Sequence, residues 1–234
     1  MGTTTSYIGQ SEVVVDADYD HRWYRATGPY VNQILEEFVQ TPYIAASSIG
    51  GTTTTLINAS THALVAGALG GAMLITTAGA NLDGVNIQWQ GEAFLPTANN
   101  EIYFGCKFQV SAATQSVFLL GLAITDTTAD TGVTDGIYFR KLDGVTACTF
   151  NVETASTETE TAAFTVAAAT DYIVEWKWNG TNLYFYVDGV YVGAPVVTNI
   201  PTAEYMTPTI SFHTGDDAPI TMTVDWIRCI QTVG

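Results

Sequence analysis

With 234 residues, 7 Lys+Arg against 23 Asp+Glu and a formal net charge of −16, the chain has too few cations to displace counterions from phosphates. This excludes nucleic-acid binding and argues against an anionic membrane surface. A hydrophobic content of 47% supplies a sizeable core, yet no apolar run is long enough to span a bilayer and no basic-then-apolar stretch reads as a secretory signal.

Residues 1–50 differ from the remainder. Met1–Gln10 is a polar, Thr-rich arm, and Asp16–Tyr24 mixes acids with aromatics without a period. Pro29–Gln40 places Val31, Ile34, Leu35 and Phe38 on one stripe, with Pro29 in the first turn and Pro42 beyond the end. That spacing predicts a short helix over about 29–40. Three helical turns need a surface to pack on. The first fifty residues are therefore expected to be an arm that docks elsewhere, with Tyr7, Trp23, Tyr24, Tyr30 and Phe38 in the contact region.

From residue 51 to 234 the pattern is strands and turns, read as one β-sandwich domain. Candidate strands are Thr53–Asn58, Ala72–Thr77, Val85–Gly91, Ile102–Ser111, Val117–Thr125, Gly136–Leu142, Ala147–Glu153, Ala162–Ala167, Thr207–His213 and Ile220–Gln231. Val117–Ile124 is apolar on both faces, as for a central strand covered on both sides. Cys106 alternates with Ile102, Phe104, Phe108 and Val110 and reads as a core residue. The three cysteines have no close spacing, so no disulfide framework is expected.

Asp171–Gly193 predicts a three-stranded meander. A tight turn at Asn179-Gly180 would set Trp176 opposite Leu183 and Glu175 opposite Tyr184. A second at Asp188-Gly189 would set Val187 against Val190 and Phe185 against Val192. Glu175, Lys177, Tyr184, Tyr186 and Tyr191 then share the polar face, with Glu175 and Lys177 as a surface ion pair. Antiparallel strands without alternating helices predict an all-β, two-sheet sandwich.

The order AMLITTAG, EIYFGCKFQV, FLLGLAI, DGIYFRK, the DYIVEWKWNGTNLYFYVDG hairpin and a closing TMTVDWIRCI resembles the concanavalin A-like jelly roll. Legume lectins, laminin-G-like modules and family 16 glucanases share that fold. The resemblance implies an antiparallel jelly-roll sandwich over residues 50–234, and it raises two chemistries. Retaining glycosidases need two carboxylates about 5 Å apart. The glucanase run Glu-x-Asp-x-Glu is absent here, and the nearest approach, Glu158-Thr159-Glu160, reads as an exposed loop or edge. No GxSxG, Walker loop or HExxH occurs, so no catalytic residue is assigned.

Lectin-like sandwiches also bind calcium through loop carboxylates. Asp126, Asp130, Asp135, Asp216 and Asp217 are the candidates, against their ordinary use as turn formers. No other cofactor is expected. His213 precedes Thr214-Gly215-Asp216-Asp217 and reads as part of a solvated turn. Glu175, Tyr184, Tyr186 and Tyr191 form a candidate face for a sugar, for a protein partner or for the N-terminal helix to pack on.

A Thr/Ala/Gly-rich, Lys-poor jelly roll with an N-terminal arm is similar to the decoration (cement) proteins outside the capsid of tailed bacteriophages. That resemblance implies a non-enzymatic virion protein on the outer capsid surface. Its partners would be capsid or other virion proteins and further copies of itself, docked through the arm. The alternative is a carbohydrate-binding, lectin-like module that recognises a host glycan.

Overall fold

The structure is a computed structural model that describes residues 2–39, 51–128 and 132–233. In chain order the strands are β1 (Thr3–Ile8), β2 (Ser11–Asp16), β3 (Trp23–Thr27), β4 (Val31–Glu36), β5 (Thr52–Ile57), β6 (Thr61–Leu64), β7 (Met73–Thr76), β8 (Gly84–Trp89) and β9 (Asn100–Val110). They continue as β10 (Ser116–Ala123), β11 (Gly136–Lys141), β12 (Ala147–Thr154), β13 (Thr157–Thr165), β14 (Tyr172–Trp178), β15 (Leu183–Val187), β16 (Val190–Val196), β17 (Thr207–Thr214) and β18 (Thr221–Val233). Two antiparallel sheets face each other: β13-β12-β11-β10-β17-β8-β5 and β16-β15-β14-β9-β18-β7-β6, with β4 also paired to β18. The expected all-β sandwich is thus present.

Alternation builds the core. Phe104, Phe108, Trp176 and Phe185 from one sheet meet Phe118, Phe139, Phe150 and Phe212 from the other, all of them buried. β10 is buried along its whole length. Phe118, Leu120 and Leu122 face the inter-sheet core, while Leu119 and Ala123 pack with Val133 and Tyr138 on the opposite face. All three cysteines are free and buried.

The helix expected over 29–40 is not formed. Its described part contains strand β4, and no helix occurs among the described residues. Residue 40 lies outside them. Val31 and Ile34, three apart as in a helix, serve two different cores from opposite faces of one strand. Ile34 packs against the inter-sheet core, and Val31 against a cluster on the outer side of the larger sheet. β18 supplies the reason, because its second half, Ile227–Thr232, has an edge beyond β7 that β4 pairs.

The expected arm that docks elsewhere packs instead on the sandwich itself. β1-β2-β3 form a three-stranded sheet whose Val13, Val15, Trp23 and Ala26 pack on Tyr103 and Ile230 of the larger sheet. The leading segment is therefore a third layer and an extra strand of the sandwich, not a tether beside a 51–234 domain.

The meander keeps its predicted faces but changes its first turn. Trp176 pairs with Phe185, Glu175 with Tyr186 and Lys177 with Tyr184, two residues on from a two-residue turn. The Asn179 side chain explains the longer loop. Its Oδ1 accepts from the N–H groups of Thr181 (3.1 Å) and Asn182 (2.8 Å), an Asx turn that stabilises four loop residues. A shift of two preserves every side chain's face, whereas a shift of one would not. The Asp188-Gly189 turn forms as expected, with φ of 51° and 79° and Val187 against Val190.

Candidate functional site

The outer face of the β9, β14 and β15 ladder carries Tyr103, Glu175, Lys177, Tyr184 and Tyr186, because their in-between neighbours fill the core. The loop between β2 and β3 brings Asp20, His21 and Arg22 onto this face. Glu175 is wholly buried. Arg22 donates Nε–H to Oε1 and Nη2–H to Oε2, both at 2.7 Å, and the Tyr103 hydroxyl donates to Oε1 at 2.8 Å. His21 Nε2 lies 3.4 Å from Oε2, with its ring stacked on Tyr186 at 3.6 Å.

Burial works to raise the Glu175 carboxyl, but the Arg22 and His21 hydrogen bonds outweigh it and hold the group below its ordinary value. Burial, reinforced by the Glu175 charge, pushes the Tyr103 phenol well up. Tyr186 is raised to about 12, chiefly by burial and then by the nearby Asp20 charge. The expected Glu175–Lys177 ion pair does not form. Lys177 pairs with Glu101 at 2.9 Å and lies over the Trp23 ring.

Beside this anchor opens a cleft of about 210 Å³ lined by Asp20, His21, Lys177, Asn179, Tyr184 and Tyr186. Tyr184 and Tyr186 are half-buried and Tyr191 is exposed, with the Tyr191 ring 5.8 Å from Tyr184 and 5.6 Å from Tyr186. The cleft thus offers aromatic rings next to an acid, an amine and an amide, on a base fixed by a buried ion pair. Such a site suits a polyhydroxylated ligand, with ring faces for C–H groups and polar heads for hydroxyls.

The remaining candidates scatter. Trp23 and Phe38 are buried, so neither is available to a partner as expected. Tyr24 is partly buried and donates to Asp16 Oδ2 at 2.5 Å, while Tyr7 and Tyr30 stay exposed. Asp126 accepts from Thr128 N–H, Asp135 from Ala155 N–H, Asp216 from Asp217 N–H and Asp217 from Asn81 N–H. Asp126 and Asp216 thus hold their own turns, Asp135 and Asp217 tie separate loops together, and no group of three His, Cys, Asp or Glu side chains converges among the described residues. Asp130 lies outside those residues. Glu158 and Glu160 sit on edge strand β13 and reach Arg140 at 2.7 and 3.4 Å. His213 is buried, not in a solvated turn, because its ring sits on β17 within reach of Ser211 Oγ and the Leu82 carbonyl.

Asp20, His21 and Arg22 were not singled out from sequence. A signal for them exists: DADYDHRWY concentrates aromatics and one of only seven Lys or Arg residues. Nothing local says which carboxylate that arginine meets.

No protein-family model matches the chain, and no curated protein matches it in sequence. Solved structures do. A Shewanella oneidensis MR-1 protein of unknown function aligns with a TM-score of 0.64 at 11% identity, covering 88% of each chain. An endo-1,3-beta-glucanase from Streptomyces sioyaensis aligns at 0.60 and 12% identity over 90% of this chain and 100% of its own. The fold is concanavalin A-like. A structure described among endo-acting O-glycanases of the human gut microbiota, which initiate mucin breakdown, aligns at 0.58 and 12% identity over 86% of this chain and 99% of that one. Identities this low carry the architecture alone.

Proposed function

We propose that this chain is a non-catalytic carbohydrate-binding protein that holds a glycan in the cleft between Tyr184, Tyr186 and Asp20. The observation that carries the reading is that cleft: two aromatic side chains line it with Lys177, Asn179 and Asp20, positioned by β14, β15 and their loop and by the β2–β3 loop, which meet at a buried Glu175–Arg22 pair. Glycan-active proteins among the structural relatives support the same reading through the shared architecture. Catalysis is left out because glycoside hydrolysis needs two working carboxylates. Glu175 is enclosed and committed to Arg22, Tyr103 and His21, which leaves Asp20 as the lone acid among the described residues that line this cleft.

Docking on a virion shell through an arm finds less support. Two of the five contact residues it requires, Trp23 and Phe38, are inside the molecule. A glycan array tests the choice: reproducible capture of a sugar that Tyr184→Ala abolishes supports the binding module. Failure of the intact protein to capture any glycan overturns it. Tyr184 is half-buried at the cleft wall, so its truncation should leave the melting temperature nearly unchanged.

A further inference from the structure

A second cleft borders the tyrosine cleft at the β14–β15 turn. Its volume is about 230 Å³, and it is lined by Ile8, Ala98, Asn99, Asn100, Glu101 and Asn179. Asn179 lines both clefts, and its side-chain oxygen is pinned by its own turn, so it stands as a fixed divider. Lys177 of the first cleft and Glu101 of the second are joined by their 2.9 Å ion pair. Each cleft alone falls short of the roughly 300–1,000 Å³ of a full small-molecule site, and the two together fall within that range.

Resting on the glycan reading above, we infer that the two clefts form one groove for an uncharged oligosaccharide of at least two sugar units. One unit lies against Tyr184 and Tyr186 and the next passes Asn179 toward Ala98 and Asn99. The charge pattern selects the class. Among the described residues Lys177 is the only lysine or arginine lining either cleft, and it is neutralised by Glu101. His21 is turned onto Glu175. Asp20 adds a further acid in a chain of net charge −16. A sialylated, sulfated or uronic ligand would meet repulsion here, whereas neutral hydroxyls find amides, a hydroxyl-bearing ring and a carboxylate.

Titration calorimetry tests this with uncharged series from one to six units, β-1,3-glucans and neutral mucin-type O-glycan cores, set against sialylated and sulfated counterparts. The expected gain is about tenfold in affinity from one unit to two or three, the worth of one or two added hydrogen bonds. Ala98→Trp, at an exposed residue, should cancel the gain and leave single-unit binding intact. Asn99→Ala serves as a second variant should the first misfold, and should reduce the gain. Equal affinity for one unit and many, a gain that survives both variants, or a preference for the anionic sugars would overturn the groove. Tyr184-dependent binding would still stand in each of those cases. Absence of binding by every sugar tested would overturn both.

Discussion

Between the two large sheets, Phe139, Phe150 and Phe185 meet with ring centroids 4.4, 5.0 and 6.3 Å apart, in a core without an ion pair among them. Between the larger sheet and the three-stranded layer, Trp23 packs on Tyr103, and a Glu175 carboxylate is enclosed with Arg22, His21 and Tyr103. The first interface is non-directional and scales with apolar area. The second depends on geometry: a buried carboxylate is tolerated only while its partners stay in place. The Tyr184–Tyr186 cleft is built on the second, so the proposed site rests on contacts that depend on geometry.

Four experiments would break or sharpen that contrast. Phe185→Ala empties space at the centre of the inter-sheet core and should destabilise the whole protein by about 4 kcal/mol. Denaturant unfolding should show this as a single transition shifted to lower midpoint. Glu175→Gln leaves Arg22 buried without its counter-charge and should cost about 3 kcal/mol. Here the loss should be regional: hydrogen exchange should quicken in β1–β3 while β9 and β10 stay protected, and equal quickening in both would dissolve the contrast.

Acid is a gentler probe of the same pair. Glu175 is held below its ordinary value of 4.5, so the unfolded chain binds its proton first as pH falls. Its contribution is complete above about pH 4.5 and is lost as pH drops through the lower folded value. Melting curves of the intact protein should therefore fall more steeply below pH 4.5 than those of Glu175→Gln.

The last probe is alkaline. Lys141 is buried, donates to the carbonyls of Thr114 and Ser116, and is lowered by desolvation from 10.5 to about 8. Between those values the unfolded state binds more protons, so stability should rise with pH across that window. Lys141→Met should flatten the rise, and an unchanged slope would remove the buried amine from the account.

Much of the sandwich was legible because alternation is a local signal. Ile102 through Val110 and the apolar side of the Tyr172–Val187 hairpin announce which side faces inward, the apolar run at β10 announces cover on both sides, and the structure buries them accordingly. The tyrosine face was legible by the same logic, since it is the complement of the buried one. The β14–β15 register was missed by two because a side-chain hydrogen bond, not backbone preference, chose the loop. The apolar spacing over 29–40 misleads because a separation of three has two solutions, one stripe on a helix or two faces of a strand such as β4.

Local patterning thus decided the strands, their faces and the sandwich they make, since each depends on neighbours one or two residues away. The partner of Glu175, more than 150 residues away in Arg22, was decided by packing, as were the strand identity of Val31–Glu36 and the cleft between Asp20 and Tyr184. Buried charges choose partners by proximity in space, and a spare edge on β18 recruits whichever segment can reach it. Chain order encodes neither distance.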